Sequence, residues 1–315
     1  MAAITLLPPI QESRIRFKNI LFATDLSEAS TEAQTYALLL AQMFGAHLFV
    51  LHVQPSTELL LERQQASLES AEKKTAESGV NRLEEFFRSS GVPVTLMVQR
   101  GDFHSALNKV AEEQFIDLII LGSHGRQGVS YLLQGSVAEN VIRSCACPVM
   151  TLGPHAQGVS GNSNKTIIYI TDFSKESKLA LPYATSLAQE FHADLVVCHV
   201  APKAERLARD CDRIETYLLN RLKMLVPQSR FPWCKISYSV TFGDSSREIL
   251  DIAVAQKGDL IVLGVHNAVQ FTSHLPERLS YKILCEATCP VLSILPGRAI
   301  GSSMKGRAPM SQESE

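Results

Sequence analysis

The chain runs to 315 residues, long enough for two ordinary domains, each with a buried core of its own. Its 30 lysines and arginines nearly balance 32 aspartates and glutamates, and a net charge of -2 supplies no basic face that would make nucleic acid or an acidic membrane a default partner. Hydrophobic residues make up 45% of the chain without any run of the roughly 18 that a membrane span needs, and seven cysteines without a regular framework fit reduced thiols in a soluble, cytoplasmic protein.

Taken in chain order, residues 1–16 lack both the basic start and the cleavage site of a signal peptide and read as a disordered lead-in. A first domain follows over 17–153. Short β-branched or apolar runs at 19–23, 47–53, 94–99, 118–121 and 149–152 predict strands. Between the first two, Ala33, Tyr36, Ala37, Leu40, Ala41 and Phe44 recur at spacings of three and four, one apolar helix face, with Ser27 expected as N-cap. The charged stretch 62–85 reads as a solvated helix, and Asp102 suits the N-cap of a helix over 103–113. Strands alternating with helices imply right-handed crossovers and a five-stranded parallel sheet covered on both faces, a doubly wound, Rossmann-like α/β domain. Ligands of such sheets bind beyond the strands' carboxyl ends, where the winding reverses, and Thr24, Asp25 and Gly122 each follow a strand.

The chemistry-bearing stretch comes next. After Leu121 the chain reads Gly122-Ser-His-Gly125, passes nine residues, and gives Gly135-Ser136-Val137 at the start of an expected helix ending near Ser144. Gly122 and Gly125 permit positive φ and close approach of a ligand, so that successive N–H groups can form an anion-binding nest. Gly135 leaves space where a phosphate would arrive. Ser136 and Val137 offer free N–H groups at a helix N-terminus, and Ser136 adds a hydroxyl.

Beyond a Gly-, Ser- and Asn-rich linker over 154–163, the chain repeats itself. Ile20-Leu-Phe-Ala-Thr-Asp25-Leu-Ser27 returns 147 residues later as Ile167-Ile-Tyr-Ile-Thr-Asp172-Phe-Ser174, and His52-Val53 as His199-Val200. From Gly101-Asp102 onward the shift is 142, pairing Asp117 to Gly122 with Asp259 to Gly264, and Cys147-Pro148-Val149 with Cys289-Pro290-Val291. A period this long is domain duplication and defines a second domain over 164–296, followed by a disordered tail over 297–315. The second copy keeps Gly264 but aligns Asn267 with Gly125 and Glu277-Arg278-Leu279 with Gly135-Ser136-Val137, where the Glu277 carboxylate and bulky side chains oppose polyphosphate and Arg278 offsets this only in part.

The string Gly122-x2-Gly125-x9-Gly135-Ser136-Val137, with Asp25 after the first strand, Val53 ending the second and Cys-Pro-Val entering the last, resembles the universal stress protein family in its ATP-binding form. The resemblance implies that Ala23, Thr24 and Asp25 border adenosine and that Val53 meets adenine through its backbone. Leu121, Gly122 and Gly125 would bound ribose and phosphates, and Gly135, Ser136 and Val137 would hold the phosphates. It further implies a stress-response regulator that changes conformation or partner affinity with nucleotide. Family members pair through their last strands, so segments 149–152 and 291–295 are expected to pair internally as a pseudo-dimer, with room for a further homodimer. Two other classes stand beside this one: a slow ATPase, with Mg2+ neutralising phosphate charge, and a ligand-free scaffold acting through protein contacts.

Blander readings account for the remaining motifs. Ser123 and His124 lack the Gly-x-Ser-x-Gly elbow of a hydrolase and sit between glycines already explained. Cys145-x-Cys147 and Cys285-x3-Cys289 have no supporting ligand spacing nearby and read as packing near the last strands. His52 and His199 read as strand-end structural residues, and Lys165-Thr166 precedes a strand where a Walker A loop would follow one.

Overall fold

The computed structural model describes residues 14–26, 30–54, 78–122, 136–157, 165–207, 209–265 and 277–296. The first half runs β1 (Asn19–Ala23), α1 (Thr31–Phe44), β2 (His47–Gln54), α2 (78–88), β3 (Val94–Arg100), α3 (Phe103–Glu113), β4 (Leu118–Gly122), α4 (Ser136–Ser144) and β5 (Val149–Leu152). The second repeats it as β6 (Thr166–Ile170), α5 (Lys175–Phe191), β7 (Asp194–Pro202), a short α6 (Lys203–Arg206), α7 (Cys211–Leu225), β8 (Ile236–Gly243), α8 (Ser245–Ala255), β9 (Leu260–Gly264), α9 (Glu277–Glu286) and β10 (Val291–Ile294). Every expected strand of the first copy is present, two of them a residue longer and one ending on Gly122 itself.

The ten strands form one sheet in the order β3-β2-β1-β4-β5-β10-β9-β6-β7-β8. Within each half the neighbours are parallel. At the centre β10 runs antiparallel to β5, with Val291 opposite Thr151 and Ser293 opposite Val149. Alternation along β1 shows how the sheet is sandwiched: Ile20 and Phe22 belong to a core cluster with Leu40 and Leu83, while Leu21 and Ala23 join Leu107 and Val141 on the opposite face. One face is therefore covered by α1, α2, α5 and α7, the other by α3, α4, α8 and α9. Each cluster draws residues from both halves of the chain.

Three expectations need correction. Residues 14–16 of the expected lead-in are packed, because Ile15 and the following Phe17 are buried, the Ile15 amide donates to Ser186 Oγ at 3.0 Å, and Phe17 stacks 6.2 Å from Tyr183 on α5. α1 begins at Thr31 after Ser30 rather than just after Ser27, which lies outside the described residues. Its counterpart Ser174 does cap α5, accepting from the Ser177 amide, and α5 is correspondingly longer at its start. The third concerns Gly122, taken up with the site below. Asp102 caps α3 as expected, accepting from the Ser105 amide at 2.8 Å, and Asp244 caps α8 the same way. The expected tail and most of the linker fall outside the described residues, as does 62–77 of the charged stretch.

Candidate functional site

The strand order places the reversal of winding between β1 and β4, where the chain, having laid β2 and β3 on one side of β1, crosses to the other. Ala23 lies opposite both Leu51 and Leu121, so Thr24, Asp25, His52, Val53 and Gly122 gather at one end of three adjacent strands. The elements that assemble them are those the core demands, since Ala23, Leu51 and Leu121 are all buried in one cluster. Val53 is part-buried against the same cluster.

The turn leaving β1 is held by a network built twice. The Thr24 amide donates to the Leu51 carbonyl, Thr24 Oγ1 lies 2.9 Å from Ser30 Oγ, and the Leu26 amide donates to Thr24 Oγ1 at 3.0 Å. In the second half the Thr171 amide donates to Cys198, Thr171 Oγ1 lies 2.9 Å from Ser177 Oγ, and the Phe173 amide donates to Thr171 Oγ1 at 3.0 Å. Both turns put a bulky residue in the left-handed region, Leu26 at φ 65° and Phe173 at φ 64°. A non-glycine residue there carries backbone strain. The hydroxyl pair beneath supplies the fixed hydrogen bonds that hold it.

The strand-end histidines complete this frame. His52 Nδ1 lies 3.0 Å from the Thr24 carbonyl and His199 Nδ1 lies 2.8 Å from the Thr171 carbonyl, so each imidazole braces the turn from the neighbouring strand. Burial holds the His199 imidazole below its ordinary value, outweighing the Thr171 carbonyl and the charge of Asp172, which act the other way. Asp172 shows the reverse balance: burial pushes its carboxyl up, but hydrogen bonds from Ser174 and Ser177 together hold it below the usual range. In both halves an aspartate also ties down the far end of the first strand. Asp117 Oδ2 accepts from the Lys18 and Asn19 amides, and Asp259 Oδ2 from the Thr166 amide.

Gly122 is a glycine for a reason other than a positive φ, which among the described glycines belongs to Gly45, Gly91 and Gly101. A Cβ at Gly122 would lie 2.9 Å from the Cβ of Ala33 and 3.4 Å from the Cα of Ser30. At Gly264 it would run into the backbone of Glu176 and Ser177. The first turn of the helix after β1, or after β6, thus packs directly on this strand end. That explains why the second copy keeps Gly264 after losing the rest of the string.

Gly125 and Gly135 lie outside the described residues, as do Ser123 and His124. Ser136 and Val137 open α4, whose first-turn amides have no acceptor within the helix itself. In the second half the equivalent helix, α9, opens on Glu277. The hydroxyl pairs, the histidine braces and the left-handed turns escaped reading from periodicity. Their signal was present in the identical spacing of Thr24, Ser30 and His52 against Thr171, Ser177 and His199.

All seven cysteines are free thiols, and burial pushes those of Cys145 and Cys234 up to about 11 and those of Cys198 and Cys289 up to about 12. Among the described residues, no helix is long and apolar enough to cross a membrane.

Comparison with known proteins adds an independent line. The model of the Universal stress protein family matches residues 16–152 and again 163–294. A universal stress protein of Methanocaldococcus jannaschii is 31% identical over 151 residues, covering 43% of this chain and 82% of its own length. One from Thermus aquaticus is 32% identical over 144 residues, covering 42% of this chain and 97% of its own. Among solved structures, a universal stress protein from Archaeoglobus fulgidus is similar in fold over 89% of this chain and 98% of that one, at 20% identity and a TM-score of 0.65.

Proposed function

Because the chain belongs to the universal stress protein family, with both halves matched, we propose that it is a cytoplasmic, ATP-binding stress-response regulator that takes nucleotide in its first half only. The units are 17–153 and 164–296. In the first, Ala23, Thr24, Asp25 and Val53 border the nucleoside, Leu121, Gly122 and Gly125 bound ribose and phosphates, and Gly135, Ser136 and Val137 hold the phosphates.

One observation carries this reading: two copies of the same fold differ in the stretch that would meet phosphate, Gly135-Ser136-Val137 against Glu277-Arg278-Leu279. The second copy keeps the braced turn, the strand-end histidine and Gly264. The fold therefore does not need Gly-Ser-Val at the mouth of that helix, and a ligand is what the first copy keeps it for. Gly122 does not distinguish the two copies, since packing alone requires a glycine there. The antiparallel β5–β10 pair supports the internal pseudo-dimer as the unit that acts.

The test counts nucleotide on the whole chain. Protein is purified without added nucleotide, denatured, and the released small molecules are quantified by mass spectrometry. About one ATP per chain, lost in Gly135→Glu and retained in Glu277→Gln, is the expected result. Two equivalents would contradict a single site, and none, with none taken up on addition, would leave the ligand-free scaffold. ADP alone, accompanied by turnover that Gly135→Glu abolishes, would make the protein an ATPase.

A further inference from the structure

The second half carries a surface that its twin does not. α2 and α7 occupy the same place in their units: the buried pair Leu83 and Phe87 corresponds to Leu222 and Val226 in the same core cluster. Just before them, Arg82 donates to the Leu26 carbonyl at 3.5 Å, while Arg221 lies over the Phe173 ring at 3.9 Å. One turn earlier a Cβ on Gly79 would touch Leu26, and Leu218 packs beside Phe173. The two helices therefore do the same structural work on their inner faces.

Their outer faces differ in the side chains they present. Exposed Glu84 and Glu85 of α2 stand where α7 presents exposed Lys223 and Met224. From Thr216 to Lys235 the chain holds four cations, Arg221, Lys223, Arg230 and Lys235, and no carboxylate, in a protein whose net charge is -2. Among the described residues none of these, nor Arg213, stands within ion-pair distance of a carboxylate. Arg213, Tyr217, Asn220 and Met224 follow one another at spacings of four, three and four, a single stripe along the helix. Tyr217 is 61% and Met224 79% exposed, and the turn leading into β8 adds Trp233 at 41%. That turn has no match in the first half, where five residues, 89–93, suffice between α2 and β3.

We propose that the outer stripe of α7 with the Phe231 to Lys235 turn is a docking surface for an acidic segment of a partner protein, one in which carboxylates flank apolar side chains. The composition is that of a protein interface core, where Tyr, Trp, Met and Arg are enriched. Arg213, Lys223, Arg230 and Lys235 supply the complementary charge. A phosphate-rich surface laid along the whole helix would instead meet Asp210, Asp212 and Glu215, which crowd its amino-terminal half. For the helix itself α2 is an internal control, since it covers the same core with Glu84 and Glu85 where α7 presents Lys223 and Met224. This inference names the partner chemistry of the proposed regulator and does not depend on which nucleotide it holds.

The experiment uses the whole protein and a fluorescein-labelled peptide of repeated Glu-Leu-Leu-Glu, followed by anisotropy. The wild type should bind it, more weakly as salt rises, and should not bind the same peptide with lysine for glutamate. Arg213→Glu with Lys223→Glu should weaken binding ~10-fold or more, and Trp233→Ala should weaken it at any salt. Circular dichroism and the released-nucleotide count should stay unchanged in each variant, which separates failure here from failure of the ATP reading. No binding by the wild type, equal binding by the charge-reversed variant, or binding to phosphatidylserine vesicles in place of the peptide would each overturn the proposal.

Discussion

Two glycines that look alike in sequence separate into different roles once their surroundings are known. Gly122 faces the Ala33 Cβ and Gly264 the backbone of Glu176 and Ser177, so alanine at either position pushes a helix off its strand. Gly122→Ala should cost about 1–3 kcal/mol, as overpacking does, and Gly264→Ala more, since backbone yields less than a side chain. Urea midpoints give the ranking, and a neutral Gly122→Ala would contradict it. Gly135→Glu, by contrast, should remove nucleotide with little loss of stability. His199 supplies a pH test at the same scale. Its folded value lies below the ordinary 6.5, so the unfolded chain takes up the proton first as pH falls. Its contribution is whole above 6.5 and is lost as pH drops through the folded value. Between neutral and mildly acidic buffer the wild type should therefore lose more stability than His199→Gln. Parallel losses in the two proteins would refute the assignment.

At the level of elements, most of the sheet was legible because strand and helix are written in period and punctuation. The buried face of α1, Ala33, Tyr36, Ala37, Leu40 and Ala41, is the face its spacing predicts. Asp102 is legible as a cap because a short acceptor directly precedes an apolar-periodic run, and Asp102→Ala should cost about 1 kcal/mol, read as a lower thermal midpoint. The start of α1 was not legible. In the second copy Ser174 caps the helix, whereas in the first the helix starts three residues later in the alignment, and the serine before it, Ser30, is engaged with Thr24. A capping serine and a serine in a side-chain pair look the same in sequence. The docking of Ile15 was equally hidden, because a short apolar arm reveals its role only through the distant Ser186 and Tyr183 it meets. Of the candidate site, the β1 turn and the switch point could be read from the repeat, but the packing role of Gly122 could not, since close approach of a helix and of a ligand both favour glycine.

The whole molecule behaves as one folding unit if its cores are what the geometry makes them. Both clusters run through the β5–β10 junction, placing Met150 with Leu292 on one face and Val149 with Val291 on the other. Gly153, just past β5, sits where a Cβ would strike the Leu284 carbonyl of α9. The arm before β1 reaches across to the second half, where Ile15 is 3% exposed and Arg14 pairs with Glu190 at 2.6 Å. Those two contacts differ in weight. The Arg14 side chain is 48% exposed, so its ion pair contributes little, and Arg14→Ala should fall within about 0.5 kcal/mol of the wild type. Ile15→Ala should cost about 2–4 kcal/mol, the loss expected of a buried aliphatic side chain. Because Ile15 belongs to the first half and packs on the second, that loss should lower one shared transition. Calorimetry of the full chain should show a single peak that moves as a whole in Ile15→Ala, with the calorimetric and van't Hoff enthalpies equal. Two peaks, with only the second moving, would mean that the halves fold independently and that the continuous sheet does not couple them.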